Sequence, residues 1–498
     1  MKNKKIIIIL SSLVVLITGI FLVNNIYQNK NKINKTKRKK QNNLAIMIKE
    51  DGADNYSSSN SIPIGDYVLN EGKTICENGG KVISYNNSTG QIGFSFLGSD
   101  RCSLYFDYKE DTTLYGTIKK RAQTDTTYLA LYTGEGADTY ANPVYYYKGN
   151  VENNNVLFGG FCWKIVRTTE TGGVKIVYNG VQKDGSCNNT GTDSQIGESA
   201  FNSSSNSPAY VGYMYNKVYT YSRKSMSSQS NIVFGNSFFT YANGTYTLKN
   251  TMTVATWSSG YNTINNNHYT CMTTGTTCTS LYYVFYTMSS TAYYITLTGG
   301  KSVNDALNEM LYADDVNTKD STIKTYIDSW YENNLIDYED KLEDTVFCND
   351  RSISSLNGWN PNGGSTSGAS DLYFENYSTS NQSLVCANET DRFSVNNFKA
   401  QLKYPIGLLS VPELSLSGFS DSTASSHYFN NGQYVWLCSA GSFFYLRNFY
   451  AIVGAVYSGG LSHDIGARSM GVRPSVSLKP GIEYSSGDGS FTSPFVIE

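Results

Sequence analysis

The chain has 498 residues, of which 14% are aromatic and only 16% charged; that length allows two or three domains. Its 41 Tyr and 44 Gly, set among abundant Asn, Ser and Thr, exclude a disordered chain, because this many aromatics can build cores. The formal net charge of −2 hides an asymmetry: residues 1–40 carry ten Lys/Arg and no acid, leaving 29 basic against 41 acidic residues in the body, and an acidic body excludes nucleic acid as a partner because phosphate binding needs a basic face.

Residues 6–23 contain no charge and follow Lys2, Lys4 and Lys5, the pattern of a signal sequence or a transmembrane helix. The run ends Ile20-Phe-Leu-Val-Asn-Asn, without the small residues of a cleavage site, so an uncleaved anchor is expected, with the lipid bilayer as partner through residues 6–23. Seven Lys/Arg after the span against three before it favour a cytoplasmic C-terminus; the cysteines argue the other way, and the body is placed outside. Residues 25–61 are polar and basic and read as a flexible stalk, or as a segment lying on anionic lipid or wall polymer.

A small β module is expected at 62–110. Tyr67-Val-Leu reads as a strand, and Asn86-Asn-Ser-Thr-Gly90 has the chemistry of a hairpin turn. Ile92, Phe94 and Phe96 alternate on one face, and Cys76 and Cys102 bracket a module too small to be stable without a staple. A connector at 111–155 carries a short helix near Thr113–Thr124. The strongest hairpin follows, with Leu157–Arg167 and Val174–Tyr178 joined by a turn at 168–173. An insertion of strands and loops at about 210–300 includes even spacing of Tyr246, Leu248, Met252 and Val254.

Two helices come next. One carries Val303, Ala306, Leu307, Met310 and Leu311 at helical spacing; the other is capped by Asp320 or Ser321 and carries Ile323, Tyr326, Ile327, Trp330 and Tyr331. Ser410-Val-Pro-Glu413 has the spacing of a capping box. Residues 431–480 then run strand, polar loop, strand, turn, strand, with short apolar runs bounded by Gly and Ser.

Nine cysteines divide into the sequential pairs Cys76/Cys102, Cys162/Cys187, Cys271/Cys278 and Cys348/Cys386, with Cys438 left over; connectivity does not follow from sequence. No CxxC pair occurs and the histidines are His268, His427 and His463, so disulfides in an oxidising exterior are expected and not a zinc site. Cys438 follows Trp436 on a core strand and reads as a small buried side chain, with a reactive thiol as the alternative. No Gly-x-Ser-x-Gly is present, and His463-Asp464 lacks an evident nucleophile. Asp314, Asp315, Asn317 and Asp320 cluster oxygens without the spacing of a calcium loop; calcium is a minor expectation, otherwise no cofactor or metal, and helix capping is the plainer reading.

The Trp436 strand, the Ser/Gly loop, the Gly-rich hairpin and the terminal Gly471-Val-Arg-Pro474 strand resemble the C-terminal half of C-type-lectin-like folds. They are closest in kind to the branch with formylglycine-generating enzymes and uncharacterised surface proteins of low-GC Gram-positive bacteria. The 156–180 hairpin, with Trp163 buried, resembles the opening hairpin of that family, and the phrase 342–352 resembles one recurrent in such proteins. The resemblance, over about 156–498, implies a lectin-like C-terminal domain; with the small all-β module and the N-terminal transmembrane helix at 1–24 read above, the expected class is α+β. It implies that first and last strands meet, that two helices flank the sheet, and that Arg473 packs inside. It does not carry over catalysis, since the enzymes use a closely spaced cysteine pair where only Cys438 stands. Calcium-binding lectin motifs are missing as well; Trp359-Asn-Pro-Asn362 is a faint echo.

In such folds late-strand loops recognise the ligand. Here they give Tyr445, Arg447, Tyr457, His463, Asp464 and Arg468 as candidate ligand-binding residues, with Phe443 and Phe444 equally suited to a core, and no catalytic residue. The expected function is a membrane-anchored, single-pass, extracellular binding protein, an adhesin or recognition module for a glycan or protein ligand. The alternatives are a surface enzyme on wall or host glycans, which needs two carboxylates about 5 Å or roughly 6.5–9.5 Å apart, and a passive structural surface protein.

Overall fold

The computed structural model describes residues 44–498 apart from 88, 96–99, 110, 135–141, 220–221, 226–230, 237, 255–267, 289–290, 313–315, 353–382, 421, 446–447 and 458–459. The chain divides into two compact units, Met1–Asp111 and Thr112–Glu498.

In the first unit the central strand is Cys102–Tyr108. Leu44–Lys49 runs parallel to it on one side, and Tyr67–Leu69 and Ile75–Cys76 pair antiparallel on the other. Alternation buries Leu104, Phe106, Ile46 and Ile48 together, as a half-buried sheet requires. The Cys76–Cys102 disulfide joins directly paired residues. Lys81–Asn86 and Gln91–Ser95 form the expected hairpin. The sheet begins earlier than the sequence suggested: Leu44–Lys49 and Ser57–Ser59 are strands inside the stretch read as a stalk. Ile46-Met-Ile48 supplies the apolar edge that makes this possible.

The second unit is built on a sheet ordered Leu342–Glu343, Ser475–Leu478, Val174–Val181, Phe161–Thr168, Asn155–Phe158, Phe495–Ile497. Gly159 and Gly160 take φ of 59° and 80° between two of these strands; both values are positive, as a two-residue type I′ hairpin turn demands. Phe495–Ile497 lies parallel to Asn155–Phe158, with Val156 opposite Phe495. A second sheet runs Gly197–Ala200, Ser469–Val472, Val435–Tyr445, Asn448–Tyr457, Gly460–Ile465. One continuous core joins the two, including Trp163, Ile176, Ile327, Leu437 and Val476. The insertion forms a six-stranded and a three-stranded sheet with apolar clusters of its own, held by Cys271–Cys278.

Helices are few and short. Leu114–Thr124 is capped by the Thr113 side chain, Thr322–Asn334 by Ser321, and Val411–Leu416 opens on the Ser410/Glu413 capping box. The expected α+β, lectin-like class with a membrane helix is therefore corrected. Strands make up 40% and helix only 16%, a mainly β protein. The physical cause is the Tyr- and Thr-rich insertion, whose β-favouring side chains add two further sheets. The single-pass membrane placement is corrected too: no helix among the described residues is long and apolar enough to cross a membrane, and residues 6–23 lie outside those residues.

Candidate functional site

The late hairpin brings four candidate or neighbouring residues together. Asn448–Tyr457 pairs with Gly460–Ile465, placing Asp464 opposite Val453 and His463 opposite Gly454. The Tyr457 hydroxyl and Arg468 Nη1 both donate to Asp464 Oδ2, and the Ile465 N–H donates to Asp464 Oδ1 at 2.7 Å. Asp464 is buried while the Arg468 side chain is 59% exposed. The ring of Tyr434, half exposed, packs edge-on against Tyr457 with centroids 4.2 Å apart. Burial first, and the Asp464 hydrogen bond second, push the Tyr457 hydroxyl up. The outcome is a guanidinium and one tyrosine hydroxyl held by a single carboxylate, with the Tyr434 ring packed against Tyr457.

His463 does not join this group as an acid–base partner. Consecutive residues on a strand face opposite ways, and burial lowers the pKa of His463, which favours the neutral ring. Tyr445 ends the strand Val435–Tyr445, and Arg447 lies outside the described residues, as does Trp359-Asn-Pro-Asn362.

Trp163, Trp436 and Arg473 all lie in the core of the second unit. Trp163 and Trp436 are fully buried, donating indole N–H to Phe158 O at 3.0 Å and Ser199 O at 2.9 Å. Arg473 is buried over the Phe429 ring, 4.4 Å from its centroid, and donates to Tyr178 O, Phe429 O and Asn179 Oδ1 at 3.0, 2.5 and 3.0 Å. All four sequential cysteine pairs, Cys76–Cys102, Cys162–Cys187, Cys271–Cys278 and Cys348–Cys386, are disulfides. Cys438 is free and buried, and burial pushes its thiol up, the opposite of an activated nucleophile.

Among the described residues, the candidate oxygen ligands are already engaged. Asn317 spends its amide on Thr390 O and Lys399 O at 2.8 and 2.9 Å, and Asp320 accepts from Lys324 Nζ at 3.1 Å; Asp314 and Asp315 lie outside the described residues. Cys76, Asp100 and Cys102 converge, but the cysteines are bonded to each other and Asp100 accepts N–H groups from Asn78, Gly80 and Arg101 at 2.7–2.9 Å.

The sequence reading missed a buried ionic cluster. Lys175 Nζ lies 2.7 Å and Arg167 Nε 3.1 Å from Glu413 Oε1, and Arg167 Nη1 lies 3.3 Å from Glu170 Oε2. Burial alone would raise the Glu413 carboxyl; Lys175 and Arg167 outweigh it and hold the group at about 2. Lys175 and Arg167, polar interruptions of otherwise apolar strands, were the available signal. The recess beside the cluster is small, about 30 Å³, and the cluster's charges are spent on one another. Arg351 is likewise buried, with Nε 2.6 Å from Asp391 Oδ1. Comparison of the chain with protein-family models, curated proteins and solved structures gave no match, so the resemblance of 156–498 to lectin-like proteins rests on sequence features alone.

Proposed function

We propose that this chain is a non-catalytic extracellular binding protein that recognises a glycan or protein ligand through the Tyr434–Tyr457–Asp464–Arg468 patch. The observation that carries the reading is the convergence of Tyr457 and Arg468 on Asp464, with the half-exposed Tyr434 ring against Tyr457. Tyr and Arg are the residues that dominate binding energy at recognition surfaces. A side chain already held in place loses less entropy on binding. Four disulfides support an oxidising compartment. The test is a binding screen of the full chain against arrayed glycans, mucin, peptidoglycan fragments and extracellular matrix proteins, with calcium and with chelator. Saturable binding weakened about tenfold or more by Arg468→Ala and by Tyr434→Ala is expected, about 1.4 kcal/mol or more for each. Binding untouched by both substitutions, or no binding to any arrayed ligand, overturns the reading.

The enzyme alternative has no observation in its favour among the described residues: the buried carboxylates Glu413 and Asp391 are each spent on buried cations, Lys175 and Arg167 for the first and Arg351 for the second.

A further inference from the structure

A second concave feature lies apart from the Tyr434 patch. It is a cleft of about 330 Å³ bounded by Asp344, Glu389, Arg392, Asn396, Asn397 and Phe398. Small-molecule sites occupy roughly 300–1,000 Å³, so this cleft falls within the range that the recess beside Glu413 misses by an order of magnitude.

The cleft is built to keep its shape. Asp344 accepts the N–H of Val395 at 2.7 Å and of Asn396 at 2.9 Å, one on each oxygen. The Asn397 amide donates to Glu389 O and Arg392 O, each at 2.7 Å, while its oxygen accepts the Lys399 N–H at 3.1 Å. Behind the turn, Arg392–Phe393 pairs with Phe347–Cys348, and the Cys348–Cys386 disulfide ties that strand pair to the segment entering the cleft. On this stapled turn stands Phe398, 68% exposed. A lone exposed apolar side chain needs no explanation. A phenyl ring held out at the rim of a polar cleft by a braced backbone is a different matter, because the turn fixes the ring without burying it.

The chemistry of the lining selects the ligand. Glu389 is matched by Lys399, with Nζ 2.7 Å from Oε2, and Asp344 and Arg392 contribute one charge of each sign. Without a net field the cleft has no preference for an anion or a cation. It offers the planar amide of Asn396, carboxylate oxygens and the Ser394 hydroxyl beside one aromatic face, the complement of a compact ligand with many hydroxyls and one apolar face. Hydrolysis is not implied. A glycosidase needs one carboxyl held protonated, whereas the Lys399 hydrogen bond lowers the Glu389 pKa and both Asp344 oxygens are taken by backbone N–H groups. We propose that this cleft is a binding subsite for a neutral saccharide of one or two rings, with Phe398 stacking on the sugar face and Asn396 bonding its hydroxyls.

The experiment is saturation-transfer NMR and titration calorimetry of the full chain with the disaccharides of N-acetylglucosamine, glucose and mannose, lactose, and sialyllactose as the anionic comparison. At least one neutral disaccharide is expected to bind with Kd on the order of millimolar, tighter than sialyllactose. Phe398→Ala should weaken it about three- to tenfold, the worth of one aromatic contact, with unchanged Tm. Arg468→Ala should leave this binding intact. Failure of every neutral disaccharide to bind overturns the proposal, as does binding that survives Phe398→Ala. Saccharide binding lost in Arg468→Ala but kept in Phe398→Ala overturns the cleft and supports the Tyr434 patch. No saccharide binding together with patch-dependent binding of a matrix protein overturns only the cleft.

Discussion

Replacing Glu413 by Gln tests the electrostatic centre of the second unit. Two independent routes give the magnitude. Removing one partner of a buried ion pair costs about 3–5 kcal/mol, and here the substitution strands Lys175, 1% exposed, and weakens Arg167, 3% exposed. The second route is proton linkage. The Glu413 carboxyl is held at about 2 against an ordinary value of 4.5, a difference that contributes about 3 kcal/mol at neutral pH, before the burial of Lys175 is set against it. The folded-state value is depressed, so this stability is fully present above pH 4.5 and is lost as pH falls toward 2. Both routes place Glu413→Gln at about 3 kcal/mol. The assay is urea unfolding at pH 7 followed by tryptophan fluorescence, since Trp163 and Trp436 are buried in the same core. Lys175→Met keeps the volume and removes the charge, leaving Glu413 with Arg167 and the Ser410 donors. The double variant should therefore cost clearly less than the sum of the two single ones, because the residues share one network. A cost under about 1 kcal/mol for Glu413→Gln, or additive single and double variants, would falsify this account of the cluster.

Two further outcomes follow from buried groups. His427 donates from Nε2 to Ser417 O at 2.8 Å and accepts the Phe429 N–H on Nδ1 at 3.1 Å, and burial lowers its pKa from 6.5 to about 4. The neutral ring is the folded form, so stability is complete above pH 6.5 and declines toward pH 4. The loss is up to about 3 kcal/mol, and His427→Gln should flatten that part of a stability–pH curve; an unchanged slope would contradict the assignment. Cys438 should resist a thiol-specific reagent in the native protein and react stoichiometrically in denaturant; rapid native labelling would show that its strand is not the closed core described above.

Much of this architecture was legible in the chain because it depends on neighbours in sequence. Alternating apolar residues and Gly-rich turns gave the 156–180 and 81–95 hairpins, and Ser410 and Glu413 gave their capping box by spacing alone. The four disulfides join cysteines adjacent in order. What was hidden depends on distant partners. Lys175 and Arg167 sit on apolar strands with their counter-ion, Glu413, more than 200 residues away. Tyr434 sits in the aromatic run 433–438, which reads as a strand, but it joins the patch only because Tyr457 folds back beside it. The cleft is a meeting of Asp344 with the 392–399 turn, which no local pattern announces. The fold class was misjudged in its weighting: the 210–300 insertion reads as strands and loops, and its two sheets outweigh the helical periodicity of 303–331.

The spacing of the cross-links sets two clocks for folding. The disulfides close loops of 26, 25, 7 and 38 residues, short enough for their ends to meet early. Closing the principal sheet requires Val156 to find Phe495, a separation on the order of 340 residues, and pairings of such high contact order are slow. The cross-links therefore tie only local loops, and none joins the two ends of the principal sheet. No covalent tie guards the final step, in which Phe495–Ile497 covers the open edge of Asn155–Phe158. Until then Val156 and Phe158 lie along an uncovered strand, and the interval between the two clocks is the period in which the nascent protein is most exposed to self-association.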